Sequence, residues 1–230
     1  MGKSKGKRIK FAENATLSNV LQNHEGHDNH FLTDNKGERL AVRGKWQEWF
    51  GNSNPITLEL ACGYGEYAVE LARRYPERNF IGIDIKGARI WNGAKIALRE
   101  NLPNVAFVRA RIEEILCFFA KDEVSEIWIT FPDPFLRKSR ANHRLTSMRF
   151  LSLYRQIVKT GNPIHLKTDE PNLYAYTLET VAEANGTVEY HDNDIYNKPL
   201  PLPELGIKTN FEQLDIAQEG AIKYVRFILT

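Results

Sequence analysis

The sequence predicts an α/β fold, a doubly wound and mostly parallel sheet with helices on both faces. Three observations carry that prediction. Short apolar runs alternate with helical stretches of about 10–15 residues, the pattern of successive βαβ units. The apolar runs are nearly continuous rather than alternating, as strands buried on both faces require. A glycine-rich turn follows the first of them directly, and the other distinctive segments also fall where a strand ends.

Residues 1–30 are rich in Gly, Asn, Lys and His with little hydrophobic periodicity. They read as a basic, largely flexible arm whose first ten residues are unstructured until bound. Leu40, Val42, Trp46, Trp49 and Phe50 suggest a short helix over 40–51, docked by its aromatic rings, before Asn52, Ser53, Asn54 and Pro55 break the chain. Strands are then expected at 56–62, 80–85, 105–108, 126–131 and 164–168, with two more near 187–191 and 224–229. Helices are expected at 65–74, 88–100, 112–120, 147–159, 172–184 and 209–219, the last after a proline-rich loop with Pro199, Pro201 and Pro203. Residues 31–230 read as a single domain, without internal repeats.

The 230 residues carry 31 Lys and Arg against 29 Asp and Glu, a balance that says little about partners. Its distribution says more. Lys3, Lys5, Lys7, Arg8 and Lys10 meet no acid in the first ten residues. Arg137, Lys138, Arg140, Arg144 and Arg149 meet only Asp133 between 131 and 150. Without these two segments, 21 basic residues face 28 acidic ones, so two positive patches stand on an otherwise acidic chain. That is a focused footprint for a polyanion, although a solvated tail and loop would look the same. Cys62 and Cys117 lie in apolar runs without zinc-site spacing, and no metal is expected. His24, His27 and His30 recur every third residue without another ligand and read as polar tail. No apolar stretch reaches the roughly 20 residues of a membrane span, and the N-terminus lacks the apolar core of a secretory signal. A cytoplasmic protein with no membrane contact and no obligate protein partner is expected.

The turn reads Glu59-Leu60-Ala61-Cys62-Gly63-Tyr64-Gly65-Glu66-Tyr67-Ala68. Gly63 and Gly65 suit a tight turn at which a side chain would block a ligand. Asp84, 21 residues beyond Gly63 at the end of the second strand, can accept from both hydroxyls of a ribose. The spacing fits a dinucleotide, S-adenosylmethionine, or a ligand-free turn. Glu59 favours the second: a carboxylate beside the turn repels a pyrophosphate and suits a cationic sulfonium.

Thr130-Phe131-Pro132-Asp133-Pro134-Phe135 is the most specific segment. Two prolines stiffen the chain around Asp133, so its carboxylate is presented at a strand end. The basic cluster follows on the same connection, and guanidinium groups grip phosphates through directed donors. His165, inside the fifth strand, reads as structural.

With these residues the chain resembles the bacterial tRNA (guanine-N7-)-methyltransferases, which have the class I, Rossmann-like, S-adenosylmethionine-dependent fold. The resemblance runs from about Phe11 onward. It includes Phe11-Ala12-Glu13-Asn14, the glycine turn, Phe-Ile-Gly-Ile-Asp at 80–84, Phe-Pro-Asp-Pro at 131–134, His165 to Asp169, and Thr209-Asn210-Phe211-Glu212. It implies methyl transfer from S-adenosyl-L-methionine to N7 of guanine 46 in the tRNA variable loop, leaving S-adenosyl-L-homocysteine. It implies Glu59, Gly63, Gly65, Asp84 and the position of Arg111 as cofactor residues, Asp133 as catalytic or guanine-contacting, and Arg137, Asp169, Thr209, Asn210, Phe211 and Glu212 as substrate-binding. The arm at 1–10 and the loop at 137–149 would lie on the tRNA backbone. Two positions depart from the family pattern. Arg111 stands where many members have an adenine-contacting Asp, so that contact must come from a backbone carbonyl or Glu113. Phe135 replaces the usual Trp. Thr209 and Glu212 also fit a helix capping box, and both roles can hold together. The alternatives are a class I methyltransferase acting on another RNA or a small molecule, and an RNA-binding relative without turnover.

Overall fold

The computed structural model describes residues 2–23, 30–213 and 221–230, the side chains of residues 2–5 aside. The chain divides into two compact units, Met1–Ala120 and Lys121–Thr230.

In the first unit, β4 (Ile56–Leu60), β5 (Asn79–Ile83) and β6 (Val105–Arg109) are parallel neighbours, linked by α3 (Glu66–Arg74) and α4 (Gly87–Arg99). All five residues of β4 and of β5 are buried, including the polar Thr57, Glu59 and Asn79 among their apolar residues. Phe107 of β6 occupies a slot that three glycines keep open. A Cβ at Gly65, Gly82 or Gly93 would come within 3 Å of its ring. The sheet continues from β6 to β1 (Val20–Gln22), β2 (Leu32–Thr33) and β3 (Arg39–Leu40), in the order β3-β2-β1-β6-β5-β4. The pairing of β1 with β6 is parallel and those of β2 are antiparallel. These three strands were not expected. Each is too short for its own periodicity to register, and β1 owes its conformation to the ladder with β6.

The aromatic helix is shorter than expected. It spans α2 (Trp46–Phe50), with Trp46 stacked on Phe119 at 5.3 Å and its Nε1 donating to the Phe118 oxygen. Expected helix 112–120 splits into a 3₁₀ turn at Ile112–Glu114 and α5 (Ile115–Phe118). Within the segment expected as an arm, Gly2–Asn14 forms helix α1. The residues nearest its end hold it to α4. Asn14 Nδ2 donates to the Gly87 oxygen at 2.7 Å, Trp91 Nε1 donates to Glu13 Oε2 at 2.7 Å, and the Lys10 ammonium sits 4.4 Å from the Trp91 ring centre. His24 and His27 lie outside the described residues.

The second unit holds β7 (Glu126–Thr130), α6 (Met148–Tyr154), β8 (Pro163–Thr168), α7 (Pro171–Glu183), β9 (Thr187–Asp192), α8 (Asn210–Gln213) and β10 (Lys223–Ile228). Its strand order is β7-β8-β10-β9, with β7 and β8 parallel and β10 antiparallel to both of its neighbours. Pro171 opens α7 without an orphaned donor, and the Glu170 side chain accepts from the Asn172 amide. His165 is structural, as expected. It stacks on Trp128 at 3.9 Å, Nδ1 lies 2.6 Å from the Tyr224 hydroxyl, and Nε2 lies 3.0 Å from Glu126 Oε1. Residues 214–219 of the expected last helix lie outside the described residues. Among the described residues, no helix is long and apolar enough to cross a membrane.

Candidate active site

In the first unit the chain leaves β4 through three unusual positions at alternate residues. Ala61, Gly63 and Gly65 have φ of 56°, 55° and 74°. The two glycines serve different ends. A Cβ on Gly65 would lie 2.4 Å from the Phe107 ring, so this glycine is required by packing. At Gly63 a Cβ would meet nothing closer than 4.0 Å, which leaves its backbone open to a ligand. Asp84 is buried and ties the turn to the end of β5: Oδ2 accepts from the Gly63 amide at 2.9 Å and Oδ1 from the Lys86 amide at 2.7 Å. A carboxylate has about four acceptor positions, so these bonds leave capacity for hydroxyl donors.

Glu59 is buried in β4, and its Oε2 accepts from the Ala68 amide in the first turn of α3 at 3.0 Å. It therefore caps that helix as well as lending charge to the turn. The local field registers on Cys62. Burial raises its thiol well above the ordinary range, and the Glu59, Asp84 and Glu66 carboxylates push it further the same way. Both effects disfavour an anion at the turn, and the carboxylates' part of the field has the sign that attracts a cation. Ile85, which sequence reasoning passed over, follows Asp84 with 50% of its surface exposed and offers an apolar platform there. Arg111 has an exposed side chain, and its carbonyl accepts from the Glu114 amide at 3.1 Å.

In the second unit the chain leaves β7 through a strained turn. Phe131 and Phe135, on either side of Pro132-Asp133-Pro134, have φ of 47° and 42°. Aromatic residues are rare in this region, and each such position costs about 1–3 kcal/mol unless its surroundings impose it. Both ends are braced. The Phe131 amide donates to the Lys167 oxygen at 2.8 Å. Arg144 Nε donates to the Pro134 oxygen at 3.0 Å, and its Nη2 to the Phe135 oxygen at 3.1 Å. Asp133 itself is exposed.

Arg144 corrects part of the charge reading. It is buried, bonded to the turn, and 4.3 Å from the Tyr176 ring centre, so it is an internal clamp rather than a phosphate contact. Arg137, Lys138, Arg140 and Arg149 are exposed, three of them on or beside a 3₁₀ segment, Lys138–His143.

Asp169 follows β8, half-buried, and its backbone oxygen accepts from Lys223 Nζ at 3.1 Å. Thr209 and Glu212 do form the capping box: the Thr209 amide donates to Glu212 Oε2 at 3.1 Å, and the Glu212 amide to Thr209 Oγ1 at 3.4 Å. Phe211 lies 5.3 Å from Phe131, ring centre to ring centre. The second unit therefore gathers the Asp133 turn and the Thr209–Glu212 turn around Phe131.

Comparisons with known proteins decide what this arrangement belongs to. A family described as putative methyltransferase matches residues 53–225. A tRNA (guanine-N(7)-)-methyltransferase of Christiangramia forsetii is 48% identical over 226 residues, covering 97% of this chain and 98% of that protein. The chain belongs to the tRNA (guanine-N7-)-methyltransferase family. A second member, from Porphyromonas gingivalis, is 52% identical over 191 residues, 82% of this chain and 77% of its own. Among solved structures, the 16S rRNA methyltransferase KamB superposes with a TM-score of 0.64 at 15% identity, covering 84% of this chain and 97% of its own. A 16S rRNA (adenine(1408)-N(1))-methyltransferase from Catenulisporales acidiphilia, solved with cosubstrate SAM, gives a TM-score of 0.57 at 15% identity, over 84% of this chain and 94% of its own. These two share the fold, the class I methyltransferase architecture that the sequence predicts.

Sequence reasoning missed Lys167 and Tyr196 as well as Ile85. A lysine in an apolar strand could have drawn attention, because a buried ammonium demands partners. Tyr196, in an irregular segment, carries no such signal.

Proposed function

We propose that this protein methylates N7 of guanine 46 in the variable loop of tRNA, using S-adenosyl-L-methionine. The observation that supports the reading most is the Asp133 turn: an exposed carboxylate on a backbone strained at both flanks and braced from two sides. Such strain collects at functional sites, where a fixed direction is worth its cost in stability.

The first unit's turn fits the cofactor. Asp84 has acceptor capacity for the ribose hydroxyls, Gly63 leaves the backbone approachable, and Ile85 presents an apolar face to the adenine. Glu59, Asp84 and Glu66 give the turn a negative field suited to a sulfonium. When bound, the cofactor supplies an electrophilic methyl carbon and departs as S-adenosyl-L-homocysteine.

Guanine N7 carries a lone pair and no proton, so no general base is needed. The acceptor side must align the purine and tolerate positive charge on it. Asp133 accepts from the N1 and N2 donors of guanine, which fixes its orientation and selects it over adenine, and its charge favours the cationic product. Asp169 adds a second carboxylate. Thr209, Asn210 and Phe211 line the acceptor site, with the Phe211 ring available for stacking. Arg137, with Lys138 and Arg140, holds phosphates, while the exposed Lys7 and Arg8 add a sequence-independent tether.

The test is incubation with unmodified tRNA and methyl-labelled cofactor, followed by mapping of the modified nucleotide. Label at N7 of guanine 46 is expected. Label at another nucleotide, or none above background, overturns the reading.

A further inference from the structure

Lys167 is fully buried, yet nothing in the methyl transfer calls for an ammonium at this place. All three of its protons are used. Nζ donates to the Leu205 oxygen, the Ile207 oxygen and Glu212 Oε2, each at 3.0 Å. Burial pushes the amine down from its ordinary range, and Glu212 opposes that shift. Glu212 is engaged on both oxygens. Besides Lys167, Oε2 accepts from the Thr209 amide at 3.1 Å, and Oε1 accepts from the Tyr196 hydroxyl at 2.7 Å. A carboxylate so committed faces inward. The backbone of Lys167 makes the remaining link, since its carbonyl oxygen receives the Phe131 amide at 2.8 Å. One residue thus joins the start of the Asp133 turn, through its main chain, to the Thr209–Glu212 turn, through its side chain.

Stability alone does not account for this arrangement. A buried ion pair is often replaceable by apolar groups of similar volume at little cost. What apolar groups would lose is the directed geometry between the two turns. We propose that Lys167, acting through Glu212 and Tyr196, is a positioning residue that fixes the Thr209–Phe211 turn in register with the Asp133 turn so that both meet the guanine at once. Glu212 is then a strut rather than a contact to the base. This inference rests on the proposed acceptor site.

The test uses the full chain, wild type and two variants: the double substitution Lys167→Met with Glu212→Gln, which leaves no unpaired charge, and Tyr196→Phe, which removes one hydroxyl from a ring 41% exposed. Rates are measured in single turnover at saturating tRNA and normalised to sites that bind S-adenosyl-L-homocysteine by calorimetry. The double variant should lose on the order of 10²-fold in rate per site, as misalignment by an ångström does. Tyr196→Phe should lose about tenfold, the usual scale for one hydrogen bond to a charged group. Cofactor affinity should stay within twofold in both. A purely structural role would reduce the number of binding sites and leave the rate per site unchanged, and a rate per site within twofold of wild type overturns the proposal. If the double variant does not fold, Tyr196→Phe decides by the same criterion. Hydrogen exchange separates this inference from the function it rests on. Amides of residues 203–213 should exchange faster in Tyr196→Phe whatever the substrate, and unchanged exchange overturns the strut even if wild type methylates no tRNA.

Discussion

Arg144 donates to the backbone oxygens of Pro134 and Phe135, at 3.0 and 3.1 Å, and so holds the end of the Asp133 turn in its left-handed conformation. By charge it belongs with its neighbours on the basic loop. By contact it belongs to the turn, and its substitution should not behave like theirs.

Arg144→Gln should lower the single-turnover rate at saturating tRNA on the order of 10²-fold while leaving the salt dependence of tRNA binding nearly unchanged. Arg137→Ala should also reduce the saturated rate, and should reduce the log–log salt slope by about 0.7–0.9, the signature of one lost phosphate contact. Binding titrations over a salt series beside rapid-quench assays distinguish them. Equal slope changes for the two variants would return Arg144 to the phosphate contacts.

Asp84→Ala should weaken S-adenosyl-L-homocysteine binding far more than tRNA binding. The carboxylate holds the Gly63 and Lys86 amides, so its loss both loosens the turn and removes the ribose acceptor. The expected loss is about tenfold to a hundredfold in cofactor affinity, by calorimetry, with the tRNA dissociation constant within threefold by gel shift. Unchanged cofactor affinity would remove Asp84 from the cofactor site.

Asp133→Asn should lower the single-turnover rate at saturating cofactor on the order of 10²-fold. Its side chain is exposed, so the melting temperature should stay within about 2 °C of wild type, as for other surface changes. A rate within twofold of wild type would leave the turn without a catalytic purpose.

Acid should destabilise the protein partly through His165. Burial lowers its pKa below the ordinary 6.5, although Glu126 opposes the shift. Between that lowered value and 6.5 the unfolded chain binds more protons than the folded one, so this contribution to stability is complete above 6.5 and declines as the pH falls through that window. The melting temperature of His165→Gln should therefore fall less between pH 7 and pH 5 than that of wild type. Parallel curves would show that His165 does not titrate differently on folding.

The fold was legible wherever a segment buried both faces. Strands such as 56–60 and 126–130 announced themselves as apolar runs with punctuated ends, and their ends carried the Asp84 and Asp133 turns. The strands at 20–22, 32–33 and 39–40 were not legible, because two or three residues contain no period and their conformation comes from partners distant in sequence. The same distinction divides the site. Residue type and spacing pointed to Asp84 and Asp133 as candidates. Whether a cation faces solvent or a carbonyl is a tertiary fact, and so Arg144 was read with the phosphate contacts. Gly65 was read as room for a ligand for the same reason, while the Phe107 ring that requires it lies on another strand.

Strand β10 follows β9 in the chain but stands between β8 and β9 in the sheet. On the ribosome, β8 and β9 therefore emerge well before residues 223–228, the segment that pairs with both. Until that segment leaves the exit tunnel, each offers an open hydrogen-bonding edge to any passing extended chain. The pairing Lys223↔Thr168 closes a loop of more than fifty residues, a slow step by its sequence separation. The nascent second unit should thus be the part of this protein most dependent on chaperones, and a ribosome stalled shortly before residue 223 should display a chain in which the β8 amides that face β10, unlike those that face β7, remain unprotected.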